Sequence, residues 1–324
     1  MSKAVPEMNK YVFNQGEWEW WDLEAPEWSS SNLTRLEEEL PETGIWLKVI
    51  KEVESNYLSV RYPDGRHPLL FGTLQYSVKE TLTSNHNANV FHFFVHGSRL
   101  VTINLDERTR MIMCSEERTR MLHECSSGAD GLFILVRLLL HYFQNGMDHF
   151  ELNLRPLEES MEKNNARTLM DKILNSRFEL LYWSNMFVPF QELISASREA
   201  YLDTLDNNPF FQRMLYRIER IQRLFEHYER EIDTLISIDN AISGFRGNEI
   251  TKTLTIVTAV FTPATVVGAV WGMNFENLIW TKAPWGFTVV MIATLISMAG
   301  MYIWMRKKGF TGDLLRASKK ERNI

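Results

Sequence analysis

Two long stretches near the C-terminal end carry no charge, and they limit what this chain can fold into. Residues 254–273 read LTIVTAVFTPATVVGAVWGM, and residues 285–305 read WGFTVVMIATLISMAGMYIWM. At about 1.5 Å per helical residue, either run spans the roughly 30 Å hydrocarbon core of a bilayer. The competing reading is a pair of buried core helices, but two adjacent uncharged runs of this length are rare in soluble domains. Charge sets the expected orientation. Arg306, Lys307 and Lys308 follow the second run directly, so the C-terminus is expected in the cytoplasm. Two crossings then place the N-terminal body there too, below an inner or plasma membrane. Trp271, Trp280 and Trp285 gather at the expected outer boundary, and Tyr302 and Trp304 mark the inner one. Such aromatic belts are typical of spanning helices.

The remainder reads as water-soluble. The net charge is −6; with the +5 of residues 306–324 and the +1 of residues 251–305 set apart, residues 1–250 carry −12. An acidic body argues against a nucleic-acid partner. Cys114 and Cys125 are the two cysteines, and neither belongs to a CxxC pattern, so a reduced compartment is expected. The first 30 residues are rich in Glu and lack a basic start with an apolar core, so no signal peptide is expected. We find no phosphate loop, nucleophile–base pattern or metal-ligand spacing, which argues against an enzyme. His92 and His96 share a strand face by spacing, and a structural role outweighs metal ligation for such a pair.

Residues 45–105 hold short β-rich segments, IWLKVI, NYLSVRY, PLLFGTLQYSV and VFHFFVHGSRLVTINL, with turn signals at Pro63-Asp64-Gly65 and a hairpin at Gly97-Ser98. From about Gly128 the pattern becomes helical, first to Glu162 and then over 164–203 with an expected interruption at Pro189. From Pro209, apolar residues recur in steps of three and four through Phe245, with Asn207 or Asn208 placed to cap the helix. The expected plan is an α/β domain over 1–163, a helical hairpin over 164–208 and a stalk helix over 209–253. Membrane helices over 254–273 and 285–305, an outer loop over 274–284 and a basic cytoplasmic tail over 306–324 complete it.

One pattern inside the first run has chemical content. Thr251, Thr255, Thr258, Thr262 and Thr265 are spaced four, three, four, three. At 100° per residue they share an arc of about 80°. Asn248 extends the stripe upstream, and Ala269 and Gly272 extend it downstream. A hydroxyl stripe on a membrane helix faces another helix or water. Gly268-x-x-x-Gly272 favours packing; a water-filled pore is the other option, and two spans per chain cannot enclose one without an oligomer. Spacing alone leaves the two open. Leu254 borders the stripe at its cytoplasmic end, where a ring of such side chains would narrow a pore.

The run ends in Gly272-Met273-Asn274. With its surroundings, NEITKTLTIVTAVFTPATVVGAVWGMNFE over 248–276, it resembles the core segment of the CorA-type divalent-cation transporters. WEWWDLEAPE near the start resembles that family's opening strand, and RLVTINL a further domain strand. The resemblance implies a funnel-shaped homopentamer with an α/β cytoplasmic domain, and Asn248, Thr251, Leu254, Thr255, Thr258, Thr262, Thr265 and Asn274 lining the pore. It implies Gly272, Met273 and Asn274 as the selectivity filter and Mg²⁺ as cargo, met as the hydrated ion by Asn274, with Co²⁺ or Ni²⁺ also passed. A ZntB-like Zn²⁺ transporter, proton-coupled or not, is the alternative, and a non-conducting membrane scaffold is a third reading. Three departures stand out. Leu278-Ile279-Trp280 replaces a Met-Pro-Glu segment, leaving Glu276 as the outer loop's only acid; Thr262 replaces a bulky apolar residue before Pro263; and Phe211-Gln212-Arg213 replaces Phe-Arg-Asp at the start of the stalk.

Overall fold

Alternation along the β-rich segments sorts their side chains onto two faces, and each face finds its own helical cover. The computed structural model describes residues 8–25, 31–53, 55–65, 67–79, 88–163, 167–273 and 283–310. Strands β1 (Met8–Phe13), β2 (Trp18–Leu23), β3 (Tyr57–Arg61), β4 (Leu69–Tyr76), β5 (Asn89–His96) and β6 (Arg99–Ile103) form a six-stranded sheet in the order β1-β2-β6-β5-β4-β3. Neighbours are antiparallel except β2 and β6, which run parallel. The expected hairpin is present: Gly97 takes φ +57° and His96 stands opposite Arg99.

On one face, Trp18, Trp20, Tyr76, Phe91, Phe93 and Leu100 join a core with helices α5 (Gly128–Lys163) and α6 (Arg167–Tyr201). On the other, Leu23, Phe71, Phe94, Val101 and Ile103 pack with α1 (Ser31–Glu39) and α2 (Gly44–Ile50). The short helices α3 (Glu107–Met113) and α4 (Glu116–His123) link the sheet to α5. The layers are therefore helix, sheet, helix.

Two local expectations are corrected. IWLKVI is not a strand: it lies in α2, where Trp46, Leu47 and Ile50 are buried and Lys48 is exposed. That spacing fits one helical face, and a short apolar run does not by itself reveal its period. Pro189 does not interrupt the second helical stretch; α6 runs through it. Trp183, Met186, Phe187 and Phe190 are all buried around it, and this burial offsets the roughly 3 kcal/mol cost of an interior proline. The indole of Trp183 lies over Gly146 of α5, where a Cβ would stand 2.3 Å from the ring.

A buried polar network crosses the sheet to α3. Asp22 is 1% exposed. The Thr102 hydroxyl donates to it at 2.7 Å, and Trp20 Nε1 donates to Thr102 Oγ1 at 2.9 Å. Arg110 forks to Asp22 and Glu24. Burial raises the Asp22 pKa, and the Arg110 guanidinium opposes that rise.

The two histidines of β5 have separate partners. His96 Nδ1 lies 2.6 Å from Glu42 Oε2, and His92 Nδ1 lies 2.8 Å from Thr73 Oγ1. Burial pushes the His92 imidazole down from the ordinary 6.5 to about 4. Unfolding frees it to bind a proton near 6.5. Its contribution to stability is thus full above about pH 6.5 and is lost as pH falls toward 4. Urea unfolding followed by tryptophan fluorescence should show the protein losing about 2 kcal/mol between pH 7.5 and 5 that His92→Gln does not lose.

Helix α7 runs from Pro209 to Trp271, 63 residues without a break. Asn208 is the cap: its Oδ1 accepts from the backbone N–H of Phe210 and of Phe211, at 2.9 and 3.0 Å. The apolar stripe is buried from Phe211 through Ile218, Phe225 and Ile232 to Leu235, whereas Ile238 and Phe245 are exposed. The chain divides there into two compact units, Met1–Ile236 and Ser237–Ile324.

Candidate functional site

In the second unit the end of α7 is accompanied by α8 (Gly286–Lys307), and both helices are long and apolar enough to cross a membrane. A soluble core is not where they lie. Phe261, Val266 and Val270 of α7 and Phe287, Leu295 and Ile296 of α8 are exposed large apolar side chains. Such surface is stable against lipid or against further copies of the chain.

The threonine stripe sits on α7 as the spacing predicts. Asn248, Thr251, Leu254, Thr255, Thr258, Thr262, Thr265 and Ala269 are all exposed. Pro263 and Val267 instead share a groove with Val290, Ala293, Thr294 and Met301 of α8, and Ile256 is buried. At 100° per residue these α7 positions lie about 140° from the centre of the stripe. Thr262, alone of the five threonines, also lines the groove, as does Val266. Glue between α7 and α8 therefore does not account for Thr251, Thr255, Thr258 and Thr265.

The hydroxyl protons are all committed. Thr255, Thr258 and Thr262 donate to the carbonyls of Thr251, Leu254 and Thr258 at 2.8 Å each. Thr251 donates to Gly247 at 3.0 Å and Thr265 to Phe261 at 3.2 Å. Each hydroxyl thus turns its lone pairs outward. A column of acceptors without fixed charge suits a cation that keeps its water shell, because the shell presents hydrogens.

The helix ends at the sequence signature. Gly272 N–H donates to Gly268 C=O at 2.9 Å and Met273 N–H to Val270 C=O at 3.4 Å. A Cβ at Gly272 would lie 2.8 Å from the Gly268 carbonyl oxygen, so this turn out of the helix needs a glycine. Asn274 and Glu276 lie outside the described residues. The histidines of β5 are engaged by Thr73 and Glu42, and among the described residues no group of three or more His, Cys, Asp or Glu is placed to hold a metal ion.

An α/β body, a long helix and two apolar C-terminal helices long enough to cross a membrane, one with a hydroxyl stripe, fit the ion-transporting class of membrane proteins. The chain belongs to the family described as CorA-like Mg²⁺ transporter protein, whose model matches residues 15–307. It is 28% identical over 306 residues to the magnesium transport protein CorA of Bacillus subtilis, covering 94% of this chain and 95% of that one. To the cobalt/magnesium transport protein CorA of Methanocaldococcus jannaschii it is 24% identical over 220 residues, covering 66% and 69%. The complete structure of the CorA magnesium transporter from the same archaeon matches with a TM-score of 0.67, covering 96% of this chain and 100% of that one at 18% identity. The family is one of transporters rather than enzymes.

Proposed function

We propose that this protein is a channel-type transporter of hydrated Mg²⁺, with Co²⁺ or Ni²⁺ as further cargo, assembled as a homopentamer in the cell membrane with both termini in the cytoplasm. The observation that carries this reading is the exposed stripe from Thr251 to Thr265, which apart from Thr262 lies clear of the α8 groove and has its protons bound inward. Two helices cannot enclose a path, so the stripe needs copies of itself around an axis.

Mg²⁺ gives up its waters reluctantly. A filter that contacts the water shell therefore costs less than one that strips it. Asn274 amide oxygens and Gly272 carbonyls, one set per subunit, would form such a ring at the outer mouth, within the loop 274–284. Glu276 would supply the loop's negative charge. Leu254 would narrow the cytoplasmic end. For a divalent ion, a potential of 100 mV supplies about 4.6 kcal/mol, enough to drive entry without a second energy source. The names of the relatives, magnesium and cobalt/magnesium transport proteins, support this choice of cargo.

Flux into proteoliposomes at fixed potential tests the reading, with Mg²⁺ and Zn²⁺ compared with and without a pH gradient. Potential-driven Mg²⁺ entry that ignores the pH gradient is the expected result. Zn²⁺ flux that requires the gradient, with little Mg²⁺ flux, would replace it with a zinc transporter. Correctly assembled protein that passes neither ion would leave only the scaffold reading.

A further inference from the structure

Helices α5 and α7 run parallel, held in register by three contacts. Arg217 Nη1 donates to the Arg137 carbonyl at 2.9 Å, Arg220 Nη2 to Gln144 Oε1 at 2.8 Å, and Tyr228 OH to Glu151 Oε2 at 3.0 Å. The first two contacts bring a set of cations together. Arg137 and His141 come from α5, Arg213, Arg217 and Arg220 from α7, and Arg118 from α4. Arg108 of α3 also acts on His141.

Several arginines of this body are matched with acids, as Arg110 is with Asp22, Arg120 with Glu116, Arg155 with Glu151 and Arg177 with Asp233. Here the matching fails. Among the described residues no carboxylate forms an ion pair with Arg118, Arg137, Arg213, Arg217 or Arg220. Arg137 Nη1 is buried without a hydrogen-bond partner. Burial first, then Arg217, Arg118 and Arg213, push the Arg137 guanidinium below its usual range, and burial with Arg220 and Arg118 does the same to Arg217. His141 is lowered by burial and by Arg217, Arg118 and Arg108, opposed only by Asp148. A buried donor without an acceptor is costly, and clustered like charges add to that cost. Yet residues 1–250 carry a net −12, so acids to neutralise the cluster were available in the composition.

We infer that this seam is a binding site for a multivalent oxyanion of the phosphate class, with Arg137 and Arg217 at its floor and Arg118 and Arg213 at its rim. Planar guanidinium forks match tetrahedral oxyanions in geometry, and their strength lies in charge-assisted pairs of hydrogen bonds. Several converging forks favour a polyphosphate over a single chloride, since each further anionic group meets a further cation. The site lies wholly within Met1–Ile236, and its occupation can be measured without any transport.

Isothermal titration of the full chain in detergent, with tripolyphosphate in metal-free buffer at constant ionic strength, tests this. Saturable binding is expected, at least tenfold tighter than for sulfate. Arg137→Gln should weaken it at least tenfold. Because Arg137 also packs against α7, the exposed Arg213→Gln serves as a second variant that leaves the core intact, with a severalfold loss expected. No saturable heat from tripolyphosphate, or binding unchanged in both variants, overturns the site. So does an assembled protein that binds no tripolyphosphate but dissociates when Arg213 is changed to Glu; acids of a second copy would then be the occupants.

Discussion

Asn274→Ala should abolish potential-driven Mg²⁺ entry into proteoliposomes while leaving assembly, judged by size exclusion, unchanged. The side chain follows directly on Gly272 and Met273, where α7 has just ended. In a pentamer the substitution removes five amide oxygens from one ring. Each hydrogen bond to a bound water shell is worth about 0.5–1.5 kcal/mol net. Five together amount to roughly 2.5–7.5 kcal/mol, so a loss of flux of about two orders of magnitude or more is expected. Asn274→Gln keeps the amide but displaces it by one methylene, so it should retain measurable flux. Equal flux in all three proteins would remove Asn274 from the filter without touching the family assignment.

Arg110→Met should cost about 3–5 kcal/mol of unfolding free energy, since it strands the buried Asp22 carboxylate without its cation. Asp22 would keep its bond from Thr102 but lose the guanidinium that opposes the effect of burial. The deficit should shrink as pH falls, because protonating Asp22 removes the buried charge. The double variant Arg110→Met with Asp22→Asn should recover most of the loss. Urea unfolding of the unaltered protein and the two variants checks this. A double variant no better than Arg110→Met would mean that the arginine acts mainly by packing its stem and by its bond to the Leu105 carbonyl at 3.0 Å.

Local signals were the ones the sequence expressed well. The cap at Asn208, the hairpin at Gly97-Ser98 and the hydroxyl stripe each depend on residues within a few positions of one another, and each is where spacing puts it. The two long apolar helices were legible because length and absence of charge are themselves the physics. IWLKVI misled because burial by Phe94 across the sheet, not its own period, decides its state. Pro189 misled because the cost of a proline is local while the burial that offsets it comes from α5. The basic seam was missed for a similar reason. Arg213, Arg217 and Arg220 show helical spacing, but their partners on α5 lie 76 to 80 residues away. Only the parallel register of the two helices makes one patch of them.

The stripe on α7 has a consequence for acid and alkali. From Asn248 through Thr251, Leu254, Thr255, Thr258, Thr262, Thr265 and Ala269 to Gly272, it holds no side chain that gains or loses a proton in the ordinary range. Glu249 and Lys252 flank it, but they lie off the stripe and 3.8 Å from each other. A conduit built on this face would be silent to titration, with the same electrostatic profile at pH 5 as at pH 9. Any acid sensitivity of transport would have to arise off this face, in the body or in the outer loop that carries Glu276.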